Sequence, residues 1–246
     1  MSKLGPYASY SKETGYATWH HPTAVFVGIF ERINVDIKGI IHVGMWDFVE
    51  HDCYTKLVGK NVIGVEANKF VYETMSKPVA DKCGYKSFNE CVYSEDGLEK
   101  QFYLANDSSS LSPVGTSSVT VTTKKLSTLI EENHIDMNQY DFLNIDAEGS
   151  ELDILKGFEK YLEHINVIDL ETSYDDRSKS GASHQDICDW LEEHNFEIRE
   201  MSSSYRTQGW GDSVFVRNNR DLPQFVDGNV GTAIYGKDYL ELNWGK

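Results

Sequence analysis

Residues 39–66, GIIHVGMWDFVEHDCYTKLVGKNVIGVE, decide the fold of this chain. Two short apolar runs flank a longer polar segment: residues 39–44 end in a glycine, and residues 61–66 end in an acid. The segment between them, residues 47–58, predicts a helix. Strand, helix and strand in this order are typical of two parallel strands joined by a crossover helix.

The same alternation extends along most of the chain. Further helices are predicted at residues 23–33, 68–82, 126–133, 150–161 and 184–194, with Pro78 expected to end the second of these early. Further strands are predicted at residues 85–93, 142–146 and 166–171, with antiparallel pairs at 101–105 with 118–123 and at 196–201 with 213–217. This pattern predicts an α/β, doubly wound, Rossmann-like sheet that is mostly parallel and closes with a C-terminal antiparallel hairpin.

Composition and charge exclude several classes of partner. The 246 residues include 23 Lys and Arg against 39 Asp and Glu, a formal net charge of −16. Such a surface repels phosphate backbones, so no nucleic-acid partner is predicted. The apolar runs are too short to span a bilayer, and no membrane association is predicted. The N-terminus lacks the apolar core of a signal peptide and the four cysteines are scattered, which predicts a cytoplasmic protein with reduced thiols.

The chain divides into one central domain and two flanking segments. Residues 1–37 are predicted to form an irregular N-terminal arm followed by a short helix. Residues 38–220 hold the strand–helix alternation, and residues 221–246 form a C-terminal extension. The sequence contains no signal for an oligomeric state.

The predicted ligand site lies where the strands end. In an open α/β sheet, ligands bind beyond the carboxyl ends of the strands, which here carry Gly44, Glu66, Asn89, Asp146 and Glu171. Gly44 lets a ligand approach the backbone, and the acid at Glu66 is placed to bind both ribose hydroxyls of an adenosine. The alternative for Glu66 is a solvated acid at a strand end. The run after Gly44 is not GxGxxG, which makes a dinucleotide enzyme the weaker reading.

One motif is similar to a known family. The segment DFLNIDAEGSEL at residues 141–152, followed by Ile154-Leu155-Lys156-Gly157, closely resembles the signature of FkbM-type S-adenosylmethionine-dependent methyltransferases. Residues 41–44, 65–67 and 209–215 resemble other stretches of that family in the same order. Residues 89–97 and 108–111 fit the part between them.

The resemblance implies a class I methyltransferase sheet with S-adenosyl-L-methionine as cofactor and residues 38–220 as the methyltransferase domain. It implies O-methylation of a saccharide or a similar small acceptor. The cofactor-binding positions that it implies are Gly44, Met45, Trp46, Glu66, Ala67, Asn89, Ser110 and Asp146. Met45 and Trp46 depart from the Gly-Ala-His or Gly-Ala-Asn of many relatives. Two such bulky side chains could fill the methionine site, so a catalytically degenerate binding module is the first alternative, and an NAD-dependent oxidoreductase the weaker second.

Three carboxylates are the candidates for catalysis. Asp146, Glu171 and Asp212 are predicted to meet at the mouth of the site, where an acceptor hydroxyl needs a base or a metal ion. Asp146 and Glu171, on adjacent strand ends, are the predicted ligands of Mg²⁺ or Mn²⁺, which prefer oxygen. The alternative is that Asp146 only caps the following helix, with Glu148 and Glu151 in its first turn.

Overall fold

The computed structural model describes residues 8–10, 17–19, 36–105, 108–113, 117–173, 181–201 and 210–218. The predicted helix at residues 23–33 and the C-terminal extension lie outside these residues. Within the predicted irregular arm, two short strands pair antiparallel, with Ala8 opposite Trp19.

The strands that follow this N-terminal pair form two sheets. In chain order the strands are β1 (Ala8–Tyr10), β2 (Ala17–Trp19), β3 (Ile40–Val43), β4 (Val62–Val65), β5 (Lys86–Phe88), β6 (Cys91–Val92), β7 (Glu99–Leu104), β8 (Ser117–Lys124), β9 (Phe142–Ile145), β10 (Val167–Ser173), β11 (Phe196–Met201) and β12 (Trp210–Arg217). A seven-stranded sheet has the order β11-β12-β10-β9-β3-β4-β5, and a three-stranded sheet has the order β6-β8-β7.

The large sheet confirms the predicted architecture. Strands β5, β4, β3, β9 and β10 are parallel, and β12 and β11 add the antiparallel hairpin at one edge. The order of the strands reverses between β3 and β9, so the switch point lies where the strand ends carry Gly44 and Asp146.

Helices cover both faces of this sheet. They are α1 (His51–Val58), α2 (Lys69–Val71), α3 (Lys77–Cys83), α4 (Leu126–Glu132), α5 (Glu151–Phe158) and α6 (His184–Glu193), with short 3₁₀ helices at Met137–Gln139 and Glu159–His164. Side chains alternate between the two faces along a strand, so Ile41 and Val43 join one apolar cluster and Ile40 joins the other. Burial of apolar area on both faces holds the layers together.

Two local predictions are wrong. The strand predicted at residues 85–93 is interrupted at Asn89 and Glu90, so β5 joins the large sheet and β6 joins the small one. Pro78 does not end its helix early, because it lies in the first turn of α3, directly after a π turn at Tyr72–Ser76. In the first turn of a helix a proline's missing N–H costs little.

Candidate active site

Gly44 brings the ends of β3 and β9 into backbone contact. Its φ is +89°, and a β-carbon at this position would overlap the carbonyl oxygen of Asp146. The two strand ends are joined by a hydrogen bond of 2.9 Å from the Asp146 N–H to the Val43 carbonyl. A glycine is therefore required here by both conformation and space, and it leaves a surface of bare backbone at the switch point.

The Glu66 carboxylate organises the loop that follows β3. It is 7% exposed, and it accepts hydrogen bonds from the N–H of Asn68 at 2.7 Å and from the N–H of Trp46 at 2.9 Å. Burial raises the pKa of this carboxyl, and hydrogen bonds from the backbone N–H groups of Asn68, Trp46 and Ala67 act in the opposite direction. The bonds from Asn68 and Trp46 end on different oxygens, so the carboxylate keeps acceptor capacity for a further donor such as a ribose hydroxyl.

Met45 and Trp46 point in different directions. Met45 is 1% exposed and packs in the core over Gly64, where a β-carbon would overlap its sulfur. Trp46 has a φ of +41°, and its side chain is 39% exposed. Its backbone is held at both ends, because its N–H donates to Glu66 and its carbonyl accepts from the Ser76 hydroxyl at 2.5 Å. Because the Met45 side chain packs in the core, the Trp46 indole is the one of these two bulky side chains that is exposed on the loop.

Ala67 and Asn89 line a cavity beside the end of β4. The cavity has a volume of about 570 Å³ and also touches Asn68, Phe70 and Val119. The Asn89 amide donates to the carbonyl of Glu66 at 2.8 Å and to that of Ala67 at 3.2 Å, which orients this wall. Phe70 and Val119 are two of the four exposed large apolar side chains among the described residues. The size and mixed lining suit a planar, partly polar ligand.

Ser110 contributes to the site through the backbone rather than through a free hydroxyl. It is 1% exposed, and its Oγ donates to the carbonyl of Glu148 at 2.6 Å and accepts from the N–H of Ser112 at 2.9 Å. Because this hydroxyl both donates and accepts within the protein, it holds the neighbouring backbone in place instead of facing a ligand.

The predicted carboxylates do come together. Asp146, Glu148 and Glu171 each have a ligand oxygen within 4.8 Å of the others, and Asp212 lies directly opposite Glu171 in the β10–β12 register. Parallel strands end at the same edge of a sheet, so β9 and β10 bring Asp146 and Glu171 to one place. The oxygen donors and their spacing fit Mg²⁺ or Mn²⁺.

Glu148 belongs to this cluster and Glu50 interacts with it electrostatically, although neither was among the predicted catalytic residues. Glu148 has a φ of +51° and is followed by Gly149 at +100°, a left-handed turn that returns its side chain toward Asp146. The Glu-Gly pair was the available signal for such a turn. Glu50, just before α1, interacts with Asp146 and Asp212 across the fold, and no local pattern marks it.

Crowding of these acids raises their pKa values. For Asp146, Glu171 and Asp212 the displacement of water by surrounding protein raises the pKa, and for Asp146 and Glu171 the neighbouring carboxylates raise it further. Burial and the nearby charges raise the pKa of Glu50 to about 7. The cluster therefore favours bound protons or a bound cation over full ionisation.

Glu151 holds the loop that carries Glu148. Its side chain is 4% exposed, and one oxygen, Oε1, accepts from the N–H groups of Ala147 at 3.1 Å and Gly149 at 2.9 Å. Burial raises the pKa of this carboxyl to about 7, against the effect of those donors. An acid in the first turn of a helix was predicted here, and its observed use is to organise the loop before the helix.

Several solved structures are similar to this fold. An S-adenosylmethionine-dependent methyltransferase from Clostridium acetobutylicum ATCC 824 has a TM-score of 0.50 at 8% identity, covering 80% of this chain and 91% of that one. The methyltransferase domain of bacterial CtHen1 has a TM-score of 0.46 at 13% identity, covering 80% and 97%. M. capricolum TrmK, solved with S-adenosyl-homocysteine, has a TM-score of 0.45 at 12% identity, covering 81% and 71%.

The fold is thus that of the class I S-adenosylmethionine-dependent methyltransferases. The Methyltransferase FkbM domain model matches residues 38–198, more than half of the chain, and the protein belongs to that family. This confirms the resemblance predicted from residues 141–152. No curated protein matches the sequence. Among the described residues, none of the helices combines the length and apolar character needed to cross a bilayer.

Proposed function

We propose that this protein transfers the methyl group of S-adenosyl-L-methionine to a hydroxyl oxygen of a saccharide or a similar small acceptor. The observation that carries the proposal is the group of carboxylates at the ends of β9, β10 and β12, next to the bare backbone where Gly44 meets Asp146. A hydroxyl acceptor needs a group that takes its proton, and these acids supply one.

The two halves of the site have different tasks in this proposal. Glu66 accepts the ribose hydroxyls, and the cavity lined by Ala67 and Asn89 takes the adenine. The cofactor supplies an electrophilic methyl group on a sulfonium. The acceptor oxygen forms a bond to the methyl carbon while the carbon–sulfur bond breaks and sulfur keeps the electron pair. The hydroxyl proton passes to a carboxylate of this group, and orientation of the acceptor in line with the breaking bond lowers the barrier.

A divalent cation is the second part of the proposal. Asp146, Glu148 and Glu171 would hold Mg²⁺ or Mn²⁺, which would lower the pKa of a bound acceptor hydroxyl and offset the repulsion between the carboxylates. The alternative within the same site is direct proton transfer to Asp146 or Asp212 without a metal ion. The acidic surface also argues against a polyanionic acceptor, and we propose no nucleic-acid or membrane partner.

Binding of S-adenosylhomocysteine by calorimetry tests the cofactor half. We expect micromolar affinity for the wild type and a loss of at least about tenfold in Glu66→Ala, which removes a charge-assisted acceptor of two backbone donors. Glu99→Ala, an exposed acid on β7, is the matched control and should bind like the wild type. Absence of binding by the wild type would contradict the proposed function.

Methyl transfer to a panel of mono- and disaccharides, measured before and after exhaustive EDTA treatment, tests the acceptor half. We expect activity to fall after EDTA and to return with Mg²⁺ or Mn²⁺. Asp146→Asn and Glu171→Gln should abolish turnover while S-adenosylhomocysteine binding changes less. Full activity after EDTA treatment would rule out the metal ion and leave Asp146 or Asp212 as the base.

A further inference from the structure

A turn of serines on the β7–β8 connection touches both halves of the site. This serine turn, residues 108–113, is joined to β7 by two backbone hydrogen bonds between Ser110 and Tyr103, at 2.7 and 3.0 Å. Within the turn, the Ser109 hydroxyl donates to the carbonyl of Ala105 and accepts from its N–H at 3.1 Å. The turn is therefore held against β7 by defined hydrogen bonds, although its sequence predicts a long polar loop.

Ser109 contacts the cofactor half. Its Oγ accepts from the Asn68 amide at 3.2 Å. Asn68 caps α2 by accepting from the N–H groups of Phe70 and Val71, and its own N–H donates to the Glu66 carboxylate at 2.7 Å. The Asn68 side chain thus uses its carbonyl to cap α2 and its amide to bind Ser109. Ser109 therefore helps to position the Asn68 N–H that donates to the Glu66 carboxylate.

Ser110, the next residue, contacts the carboxylate half. Its hydroxyl donates to the carbonyl of Glu148, which is in the left-handed conformation with a φ of +51°. A non-glycine residue in that conformation persists only where its surroundings hold it. Glu151 holds the N–H of Gly149 on the far side of the same turn. Ser110 therefore holds the Glu148 carbonyl and Glu151 holds the Gly149 N–H, so both sides of this turn are fixed by side chains.

From these contacts we infer that Ser109 and Ser110 are positioning residues with separate tasks: Ser109 supports Glu66 for cofactor binding, and Ser110 presents the Glu148 carboxylate to the cation. This assignment rests on the proposed function. It changes the role of Ser110 from the predicted cofactor contact to a support for the carboxylate half of the site. Two consecutive residues of the β7–β8 connection, Ser109 and Ser110, thereby fix the spacing between the two halves of the active site.

The experiment is a double comparison on the full chain, with S-adenosylhomocysteine binding measured by calorimetry and Mn²⁺ binding by electron paramagnetic resonance. Ser110→Ala should raise the dissociation constant for Mn²⁺ about tenfold and leave that for S-adenosylhomocysteine within about twofold, as expected for loss of the hydrogen bond that holds the Glu148 carbonyl. Ser109→Ala should do the reverse. Ser112→Ala, in the same turn, should change neither, and thermal melting will show that each variant is folded.

A merely structural role would weaken both ligands alike in both variants, and that result would overturn the inference. Wild-type affinities in both serine variants would also overturn it while leaving the proposed function intact. A wild type that binds S-adenosylhomocysteine but no Mn²⁺ would refute the metal part of the proposed function and the role given to Ser110. The role given to Ser109 would then be tested by S-adenosylhomocysteine binding alone, and an unchanged dissociation constant in Ser109→Ala would refute it. A wild type that binds neither ligand would refute the proposed function itself.

Discussion

Glu171 on β10 and Asp212 on β12 lie directly opposite one another in an antiparallel pair. Opposed residues in such a pair point to the same face of the sheet, and like charges in this position are destabilising. Both acids border the cluster formed by Asp146 and Glu148, so the repulsion extends across three strand ends. This repulsion costs stability at one place in the sheet, as expected for the cation site that we propose there.

Removing one charge of this pair should stabilise the protein without cation. For Glu171→Gln at pH 10, above the value of about 9 to which burial and the neighbouring carboxylates raise the pKa of Glu171, we expect a gain of about 0.2–1 kcal/mol in the free energy of unfolding, because a like-charge cross-strand pair is relieved. Urea denaturation in EDTA measures it. The control is Glu99→Gln, an exposed strand acid whose cross-strand partner is the uncharged Thr122. A loss of stability in Glu171→Gln would show that the carboxylate is already compensated.

Glu151→Gln should be tolerated in stability better than Glu151→Ala. Both hydrogen bonds to the side chain end on Oε1, and glutamine keeps an oxygen at that position. The folded-state pKa of about 7 against 4.5 corresponds to at most about 3 kcal/mol of stability lost on ionisation by pH 8. We expect Glu151→Gln to gain up to about that amount at pH 8, and Glu151→Ala to be about 1–3 kcal/mol less stable than Glu151→Gln because its N–H donors are left unsatisfied. Equal stability of the two variants would contradict the role given to Oε1.

Stability should fall as the pH rises from about 6.5 to 9 in the absence of cation. Glu50 and Glu151 have pKa values of about 7, and those of Asp146 and Glu171 are also raised, so the folded protein holds protons that the unfolded chain has already released. Stability falls with rising pH wherever the folded state holds more protons than the unfolded chain, which extends to about pH 7 for Glu50 and Glu151 and to about pH 9 for Glu171.

Two buried histidines have the opposite effect at lower pH. The pKa values of His42 and His184 are lowered to about 4 by burial, so their contribution to stability rises with pH only up to about 6.5. Thermal melts at pH 6.5 and 8.5 avoid that range. We expect a fall of roughly 2–4 °C for each kcal/mol lost, reduced by millimolar Mg²⁺ or Mn²⁺. A melting temperature that rises with pH would contradict the raised carboxyl pKa values.

Gly44→Ala should be far more costly than the same change at Gly97. Both glycines have positive φ, +89° and +77°, but a β-carbon at Gly97 meets nothing within 4 Å. Gly97→Ala therefore isolates the conformational cost, about 1–2 kcal/mol. Gly44→Ala adds a collision with the Asp146 backbone, so we expect several times that loss, or failure to fold, and a loss of S-adenosylhomocysteine binding in any folded fraction. Equal losses in denaturant melts would show that β3 and β9 can separate freely.

The framework of the fold could be read from local patterns. Ile40–Val43, Val62–Val65 and Phe142–Ile145 are fully buried runs of four residues, as parallel strands covered on both faces require. The edge of the sheet was harder, because residues 85–93 carry aromatic residues from end to end and no glycine or proline marks Asn89 as the point where the chain leaves one sheet for another. Asn89 has its amide on the carbonyls of Glu66 and Ala67, a contact made only after β4 and β5 pair.

The sequence by itself determined the strand–helix alternation, the family motif at residues 141–152 and the acids at the strand ends, because periodicity and strand termini are properties of neighbouring residues. Only the tertiary structure decided that Met45 packs in the core while Trp46 remains exposed, that Glu148 turns back toward Asp146, and that Ser110 supports that turn. Each of these depends on backbone conformations with positive φ or on side chains more than 15 residues apart in the chain. Such contacts exist only once the sheet has formed; the Glu148-Gly149 pair indicates a turn locally, but not the residues that the turn meets.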